Sequence, residues 1–518
     1  YGASYHIGNA EEEIVTYTAA VFEYEPYNIW DDEDKGYGVM QKNVEEVNSA
    51  IRTAKLKGAD IFVIPEYGLT SVTTYGKKNF TKFYTYTTYF PNPSDLIVPC
   101  DSSETNQNIE ALKNMSCTAR EESIYLVLNM LEARPCSPNT IASAPWLEYD
   151  TYEVDDNCPT TGFYFHNAQV VLDRTGALIV RYRKEHLYTP NENYLNPGPM
   201  NDYTAHFISD FNVPFAVQIC FDIGYEDPAY NYVKNYGVKD VIMSTAWVDY
   251  LPFTIADTTQ NAWSRGLKIN FFIAGYHDPE GAKLGSGIYR QLFDLPPLYT
   301  FDKDSGNVLL IAEINTTISS SNSPRVAKPL KDRDVRVREE VIYLGGKDEG
   351  RTHLIYYENL QNYSSVTLER GESGQDLTAD VCHSDDFCCS LVYQYTGNLT
   401  YKLISFKGQF YVSIDHLLGV QNCAILWCET DDINTCAYVD NGLPNDDQFG
   451  PFTLSTSSYT IDSIYPGSTH RNLSLISNDL IVYNVNGETY SLSSSVPVEN
   501  LLSSYMFGRW YSHDTDLR

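Results

Sequence analysis

Segments with helical spacing alternate with short apolar runs through the N-terminal half of the chain, and this alternation restricts the fold more than any other feature. Residues 13–23 are rich in β-branched and aromatic side chains, which predicts a strand. From Val39 to Lys57 apolar residues recur at helical spacing, and Gly58 follows as a C-terminal cap. The apolar run Ile61 to Ile64 comes next and leads into Pro65-Glu66. A helix followed by a short, continuous apolar run is typical of α/β proteins, whose strands are covered on both faces.

The same alternation continues to about residue 315. Strand-like segments lie at Ser123–Met130, 163–172, 177–183, Pro214–Cys220, Asp240–Ser244, Ile269–Ala274 and Asn307–Ile314. Helix-compatible segments lie at Asp227–Tyr236 and Thr258–Leu267. The turn Asp173-Arg174-Thr175-Gly176 between two of the strand-like segments predicts a β-hairpin. We therefore predict a mixed α/β domain over residues 10–315.

The composition changes at residues 315–324, where Ser, Thr and Asn dominate as in a linker. Beyond this stretch the chain has short alternating segments, such as 401–412 and 480–492, that predict strands. Six of the eleven cysteines also lie there. We predict that residues 325–518 form a smaller, β-rich domain held by disulfides.

Cysteines and glycosylation sequons together indicate an oxidising, extracellular setting. The cysteines are Cys100, Cys117, Cys136, Cys158, Cys220, Cys382, Cys388, Cys389, Cys423, Cys428 and Cys436. The sequons for N-linked glycans are at Asn79, Asn114, Asn315, Asn362, Asn398 and Asn472. An odd number of cysteines leaves one thiol unpaired if the others bridge, while the pairing itself stays open. No CxxC pair has a matching His or CxxC partner, so no zinc site is predicted.

The net charge narrows the choice of partners. Lysine and arginine total 36 and aspartate and glutamate total 68, which gives a formal charge of −32. A surface this acidic repels nucleic acid and anionic lipid, so neither is an expected partner. No apolar run approaches the ~18 residues that span a bilayer. We expect secretion in soluble form, with a lipid anchor that replaces a removed tail as the alternative.

Three reactive side chains follow predicted strands, where α/β folds place their sites. They are Glu66, Lys184 and Cys220. A cysteine can attack an amide carbonyl, a carboxylate can accept the thiol proton, and an ammonium group can stabilise the developing negative charge. The set is sufficient for amide hydrolysis through a thioester. Taken singly, each residue also has a structural explanation, as a solvated carboxylate, a surface charge and a buried thiol.

The residues around these three positions resemble the motifs of a known superfamily. The matching segments are Val63-Ile64-Pro65-Glu66, Arg181-Tyr182-Arg183-Lys184 and Ile219-Cys220-Phe221-Asp222-Ile223, which are similar to the glutamate, lysine and cysteine motifs of the nitrilase superfamily. Further segments resemble the vanin and biotinidase branch of secreted amidases, namely Asp227-Pro228-Ala229, Thr245-Ala246-Trp247, Ala262-Trp263 and Gly285-Ser286-Gly287-Ile288-Tyr289. The cysteines before and after the linker are similar to that branch's two cysteine groups.

This resemblance implies an αββα sandwich followed by a vanin-type base domain. It also implies that Glu66 is the general base, Lys184 the oxyanion stabiliser and Cys220 the nucleophile. The backbone N–H of Phe221 would be a second oxyanion donor, and Glu192 would orient the lysine. Cys220 would then be the unpaired cysteine, which leaves ten for five bridges. No metal or cofactor is implied, and a monomer or weak dimer is expected.

The function implied by the resemblance is hydrolysis of pantetheine to pantothenate and cysteamine, or of a biotin amide such as biocytin. A second hypothesis is a non-catalytic, secreted, vanin-like carrier of a small apolar ligand or pigment. Four tyrosines near the first motif bear on this choice, namely Tyr75, Tyr84, Tyr86 and Tyr89. We predict that they form a tyrosine-rich surface loop, with an aromatic-lined pocket for a flat ligand as the alternative.

Overall fold

The computed structural model describes residues 12–28, 36–71, 79–146, 153–189, 191–199, 204–319, 339–413, 416–439 and 447–516. Up to residue 345 these ranges contain the strands β1 (Glu12–Glu23), β2 (Ile61–Val63), β3 (Thr87–Thr88), β4 (Tyr125–Pro135), β5 (Phe163–Leu172), β6 (Leu178–Arg183), β7 (His206–Ile208), β8 (Pro214–Ile219), β9 (Asp240–Thr245), β10 (Tyr250–Leu251), β11 (Asn270–Gly275), β12 (Ser286–Arg290), β13 (Leu298–Thr300), β14 (Asn307–Ser319) and β15 (Glu339–Gly345). The helices are α1 (Gly36–Leu56), α2 (Phe80–Tyr84), α3 (Glu110–Glu122), α4 (Pro138–Ala142), α5 (Ala229–Tyr236) and α6 (Ala256–Leu267).

Two sheets form the centre of the N-terminal part. The first has the strand order β15-β14-β1-β2-β4-β5-β6, with β3 paired to β4. The second has the order β13-β12-β11-β9-β8-β7. In the first sheet β2 runs parallel to both of its neighbours, and in the second β9 runs parallel to β8 and β11. Parallel strands of this kind end at one edge of their sheet, which is where the side chains described below are located.

Alternate residues of the first sheet face opposite layers, because successive side chains of a strand point to opposite faces. Tyr17, Ala19 and Val21 of β1 share a buried cluster with the second sheet. Ala20 and Phe22 instead share one with apolar residues of α1 and α3. On the far side, α5 and α6 pack against the second sheet. The layers are therefore helix, sheet, sheet and helix, so the expected αββα sandwich is confirmed.

The segment predicted as a linker differs from the structure. Its first residues belong to β14, which continues to Ser319 and pairs with β1 from Glu12 onward. The β-branched residues Thr316, Thr317 and Ile318 explain this, since such side chains favour an extended, paired backbone. Residues 320–338 lie outside the described ranges. Strand β15, which the predicted boundary at residue 325 assigns to the second domain, pairs with β14 and extends the first sheet.

The C-terminal part is almost entirely β-structure in its described residues. Its strands are β16 (Tyr356–Tyr357), β17 (Ser364–Thr367), β18 (Leu377–Ser384), β19 (Phe387–Tyr393), β20 (Thr400–Ser413), β21 (His416–Cys428), β22 (Gln448–Phe449), β23 (Phe452–Thr456), β24 (Ser463–His470), β25 (Val482–Asn486), β26 (Thr489–Ser494), β27 (Val498–Glu499), β28 (Leu501–Arg509) and β29 (Thr515–Asp516). Two larger sheets, ordered β17-β20-β21-β28-β24 and β18-β19-β23-β26-β25, share one core. The opposite face of the first of these, including Phe406 and Phe507, packs onto the α/β part.

Five disulfides hold ten of the eleven cysteines. The pairs are Cys100–Cys117, Cys136–Cys158, Cys382–Cys388, Cys389–Cys423 and Cys428–Cys436. The pair Cys389–Cys423 joins β19 to β21 and so links the two sheets of the C-terminal part. The remaining cysteine, Cys220, is free and buried.

Four of the predicted glycan acceptors, Asn79, Asn362, Asn398 and Asn472, are exposed. Asn114 and Asn315 are partly buried, and their side-chain oxygens accept hydrogen bonds from Asn48 and Thr16. Glycosylation at all six positions stays a prediction. None of the helices in the described ranges is long and apolar enough to cross a membrane.

Candidate active site

The three reactive side chains converge on one cavity at the ends of the central strands. Glu66 comes just after β2, Lys184 directly follows β6 and Cys220 directly follows β8. The cavity has a volume of about 600 Å³, and all three residues line it. Glu192 and Phe221, which the resemblance implies as supporting residues, line the same cavity.

Lys184 lies between two carboxylates in the buried interior. Its Nζ donates to Glu66 Oε1 at 2.9 Å and to Glu192 Oε2 at 2.7 Å. All three side chains are almost fully shielded, with residue exposures of 1% for Glu66, 1% for Lys184 and 5% for Glu192. Backbone N–H groups also hold the carboxylates: Ala246 donates at 2.7 Å to Glu66 Oε2, the oxygen turned away from Lys184, and Tyr188 donates at 2.8 Å to Glu192 Oε2, which Lys184 also contacts. The ammonium uses two of its three N–H donors here and retains a third.

Asn167 bridges the two carboxylates, and Asn129 holds Asn167 in position. Asn167 Nδ2 lies 2.6 Å from Glu66 Oε1 and 2.7 Å from Glu192 Oε1. Asn129 in turn donates to Asn167 Oδ1 at 2.7 Å and accepts the backbone N–H of Tyr67 at 2.7 Å. The Tyr67 hydroxyl donates to Glu192. These contacts fix the orientation of both carboxylates before any ligand is bound.

Burial and neighbouring charges set the protonation of this group. Burial would lower the pKa of Lys184, but Glu192 and Glu66 outweigh it and raise that pKa well above its ordinary value. Burial raises the pKa of Glu66, and Glu192 adds to this effect while Lys184 opposes it. Burial also acts on Glu192, but Lys184 and the surrounding donors hold its pKa below the ordinary value. Glu66 is thus the stronger base of the two carboxylates.

Cys220 has a left-handed backbone conformation, with φ of 46°. A non-glycine residue in this region is strained, and such strain is concentrated at functional sites. The conformation turns the chain sharply from β8 into the short helical turn Cys220–Gly224. Burial and the charge of Glu66 raise the pKa of the thiol, so Cys220 is protonated at neutral pH. A nucleophilic role therefore requires a base that removes the proton during attack.

Asp222 holds this turn in place through both carboxylate oxygens. Oδ2 accepts the backbone N–H of Ile219 at 3.0 Å and the hydroxyl of Tyr182 at 2.8 Å. Oδ1 lies 3.2 Å from the backbone nitrogen and 3.0 Å from Nδ1 of His186. Tyr182 belongs to β6 and His186 follows Lys184, so Asp222 ties the Cys220 turn to the Lys184 segment.

The C-terminal part of the chain supplies one wall of the cavity. Its aromatic residues lining the space are Tyr357, Tyr363, Phe406, Phe410, Tyr411, Tyr465, Tyr505 and Phe507. Arg509, which is buried, donates from Nε to the carbonyl of Gly224 at 2.9 Å, where the Cys220 turn ends. The site therefore belongs to both parts of the chain, and its apolar walls favour a ligand with substantial hydrocarbon or aromatic surface.

Four contributors to the site were not predicted from the sequence, namely Asn129, Asn167, Asp222 and the Ala246 N–H. A usable indication was present for the two asparagines, because each lies among apolar residues of a predicted strand and a buried amide needs partners. The Ala246 N–H reaches Glu66 only in the folded chain, so no pattern in the sequence indicates its role. Phe221, whose N–H the resemblance implies as an oxyanion donor, lines the cavity. In the described ranges no cluster of three or more His, Cys, Asp or Glu side chains is arranged to hold a metal ion.

Both interpretations of the tyrosine cluster were wrong for the residues that can be placed. Tyr86 and Tyr89 are buried, with 2% and 3% exposure, and Tyr84 is partly buried. They pack with Phe83 and Phe163 in aromatic clusters and do not themselves line the cavity, although the cluster of Tyr86 also contains Tyr67 and Tyr194, which do line it. Polar residues alternate with these aromatic residues in the sequence, so the pattern did not indicate that the aromatic side chains are buried. Tyr75 lies outside the described residues.

Comparison with known proteins agrees with the fold and with its two parts. Residues 18–249 match the carbon-nitrogen hydrolase family, and residues 352–514 match the vanin C-terminal domain. Pantetheinase from Bos taurus is 28% identical over 489 residues, which cover 93% of this chain and 86% of that protein. Vanin-like protein 1 from Drosophila melanogaster is 28% identical over 468 residues, covering 87% and 75%. Biotinidase from Bos taurus is 26% identical over 523 residues, covering 96% and 93%. With both domains present in one chain, the protein belongs to the vanin and biotinidase branch of the nitrilase superfamily of carbon-nitrogen hydrolases.

Proposed function

We propose that this protein is a secreted amidase that cleaves a linear amide through a thioester on Cys220. The observation that carries the proposal is the convergence of Glu66, Lys184 and the free thiol of Cys220 on one cavity. A general base, a cation and a nucleophile are the groups that amide hydrolysis by a cysteine requires.

In the first half of the proposed reaction, Glu66 accepts the proton of the Cys220 thiol as the sulfur attacks the amide carbonyl. The raised pKa of Glu66, which burial causes, makes this carboxylate a better proton acceptor than one in water. The carbonyl oxygen becomes an oxyanion, which the remaining N–H of the Lys184 ammonium and the backbone N–H of Phe221 stabilise. A donor of this kind is worth about 3–4 kcal/mol.

The proton then passes from Glu66 to the amine nitrogen, the carbon–nitrogen bond breaks and the acyl group remains on sulfur. In the second half, Glu66 removes a proton from water, the hydroxide oxygen attacks the thioester carbonyl and the carbon–sulfur bond breaks. The acid leaves, and the proton on Glu66 returns to the sulfur. Glu192 remains ionised beside Lys184 throughout, because its pKa is lowered, and it keeps the lysine charged and oriented.

We propose pantetheine as the leading substrate, with release of pantothenate and cysteamine, and biocytin as the next candidate. Relatives named pantetheinase and biotinidase both cover nearly the whole chain, which supports these two amides over others. The cavity of about 600 Å³ accommodates an acyl group of either size. Five disulfides support secretion, since such bonds persist in oxidising compartments.

The test is to incubate the purified protein with pantetheine and, separately, with biocytin, and to measure the released acid by mass spectrometry. We expect turnover of pantetheine by the unaltered protein and none by Cys220→Ala. Glu66→Gln should lower kcat by about 10²–10⁴-fold, the usual contribution of a general base. Glu349→Gln is the matched control. It makes the same substitution in an exposed carboxylate, distant in sequence from Glu66, and should leave the rate unchanged. Absence of turnover with both substrates would refute the proposal and favour the carrier hypothesis, which a visible absorption band in the purified protein would support.

A further inference from the structure

Glu358 places a carboxyl group on the cavity wall that the C-terminal part provides. It directly follows β16, which pairs with β10 in parallel. Its backbone N–H donates to the carbonyl of Leu251 at 2.8 Å, and Tyr356 is held in the same way by the carbonyl of Asp249 at 2.9 Å. The rings of Tyr250 and Tyr356 stack at 5.1 Å. The backbone that carries Glu358 is therefore fixed against the α/β part.

The carboxyl of Glu358 has one oxygen with a partner and one without. Oε1 accepts the hydroxyl of Thr254 at 2.8 Å. Oε2 is shielded from solvent and has no hydrogen-bond partner of standard geometry within the described residues, although the Phe253 N–H lies close enough to the carboxyl to favour its ionised form. An unsatisfied buried polar atom costs free energy, and a ligand that supplies the missing hydrogen bond removes that cost.

The surroundings of Glu358 favour its neutral form. Burial raises its pKa to about 8, although the Thr254 hydroxyl and the Phe253 N–H favour the ionised form. Among the described residues, Tyr363 and Tyr505 interact electrostatically with Glu358, and burial raises both of their pKa values well above the ordinary value, so both are uncharged. At neutral pH this wall therefore presents a carboxylic acid, which can donate and accept a hydrogen bond, among aromatic rings.

We infer that Glu358 is a specificity-determining residue that binds a neutral hydroxyl or amide group in the acyl part of the substrate. This inference rests on the proposed function. In pantetheine and in biocytin the neutral hydrogen-bonding groups lie on the acyl side of the scissile amide. The acyl part also stays bound through the thioester stage, so a contact to it acts in both halves of the reaction. A site that hydrogen-bonds a substrate group discriminates strongly against analogues that lack it.

The test compares two substrates that release the same amine. Pantetheine carries hydroxyl and amide groups in its acyl part, whereas N-hexanoylcysteamine carries only hydrocarbon. Glu358→Leu should raise KM for pantetheine by about 10–100-fold with kcat changed less than about threefold, and should leave N-hexanoylcysteamine unaffected. Glu358→Gln, which keeps a donor and an acceptor, should stay within about fivefold of the unaltered protein for pantetheine. Glu349→Leu makes the same substitution at an exposed position and serves as the control. An equal loss for both substrates, or no loss for pantetheine, overturns the inference.

A binding measurement separates this inference from the proposed function. Calorimetry with pantetheine and the Cys220→Ala protein needs no turnover, and adding Glu358→Leu should weaken binding about tenfold or more. Unchanged affinity overturns the inference even where the unaltered protein is active, and a weakened affinity supports it even where hydrolysis is absent.

If Glu358→Leu does not fold, Glu358→Gln replaces it in a measurement of pH dependence. Affinity for pantetheine should then fall as the pH rises through about 8 in Cys220→Ala, as Glu358 ionises, and this fall should be absent in Cys220→Ala with Glu358→Gln. The same fall in both proteins overturns the inference.

Discussion

Arg509 links the C-terminal part of the chain to the turn that carries the candidate nucleophile. Its guanidinium, 1% exposed, donates to the carbonyl of Gly224 at 2.9 Å and to the carbonyl of Gly419. It also contacts both carboxylate oxygens of Asp514, at 2.9 and 2.7 Å. Gly224 ends the turn that begins at Cys220, so the position of this turn depends on a residue nearly three hundred positions away in sequence.

Arg509→Met removes the charge and keeps much of the side-chain volume. Breaking a buried ion pair costs about 3–5 kcal/mol, and the lower end applies here because the Asp514 side chain is 19% exposed. The lost hydrogen bond to Gly224 adds about 1–2 kcal/mol. We expect the free energy of unfolding to fall by about 4 kcal/mol in total. The released turn should also lower kcat/KM for pantetheine by about 10–100-fold, because small displacements of reacting groups have effects of this size.

A double variant separates the two effects. Arg509→Met with Asp514→Asn leaves no unpaired charge, so it should recover about half of the lost stability in urea unfolding. It should not recover kcat/KM, measured from pantothenate release, because the carbonyl of Gly224 still lacks its partner. If kcat/KM stays within twofold of the unaltered protein in Arg509→Met, the turn does not depend on Arg509 and the reasoning is wrong. Recovery of both quantities together would mean that the unpaired charge alone caused the loss.

Two further predictions concern buried charges. Lys184→Met leaves Glu66 and Glu192 facing each other without a cation, so the free energy of unfolding should fall by about 3–5 kcal/mol in urea titrations and pantetheine hydrolysis should be lost. Adding Glu192→Gln should restore part of the stability and none of the activity, and loss of neither property in Lys184→Met would contradict the assignment. Glu132 does not line the cavity; burial would raise its pKa, but the Arg183 guanidinium outweighs burial and lowers it to about 2. The carboxylate therefore stabilises the fold by about 3 kcal/mol above pH ~4.3, and this contribution disappears as the pH falls toward 2. Unfolding measured between these pH values should be less pH-dependent in Glu132→Gln than in the unaltered protein, and an unchanged dependence would show that Glu132 is not the group responsible.

Most strands and helices of the α/β part could be predicted from the local sequence pattern, and the elements that were missed have physical explanations. The predicted hairpin over 163–172 and 177–183 corresponds to β5 and β6, because its turn residues and alternating strands are local properties. Helix α3 was not predicted, since its apolar residues are mixed with polar ones and its face becomes apparent only against α1. The extension of β14 through Ser319 was missed because Ser, Thr and Asn are compatible with both linkers and paired strands, and only the partner β1 decides between them.

The candidate site was predictable to the extent that it depends on strand ends. Glu66 and Cys220 follow apolar strands that have parallel neighbours, and parallel strands end at one edge of their sheet. Lys184 follows β6, which two successive antiparallel pairings through β5 orient in the same direction as β4 and β2. The contacts that tune these groups come from residues whose role depends on tertiary geometry. Asn167 reaches both carboxylates from a neighbouring strand, and the aromatic wall comes from a different part of the chain. A single sequence indicates which chemistry is available but not which surfaces enclose it.

The division of the site between the two parts of the chain has a consequence for how substrate choice and chemistry can vary. The reacting groups are fixed by the central sheets, through Asn167 and Asp222, and do not depend on the identity of the aromatic wall. The wall, with Glu358 and the rings around it, touches the space available to a ligand without holding Glu66 or Lys184 in place. Substitutions in the wall should therefore change KM and preference among acyl groups, whereas substitutions behind the carboxylates should change kcat for every substrate. Arg509 is the exception because it belongs to the wall and also holds the Cys220 turn, so its variants should alter both quantities.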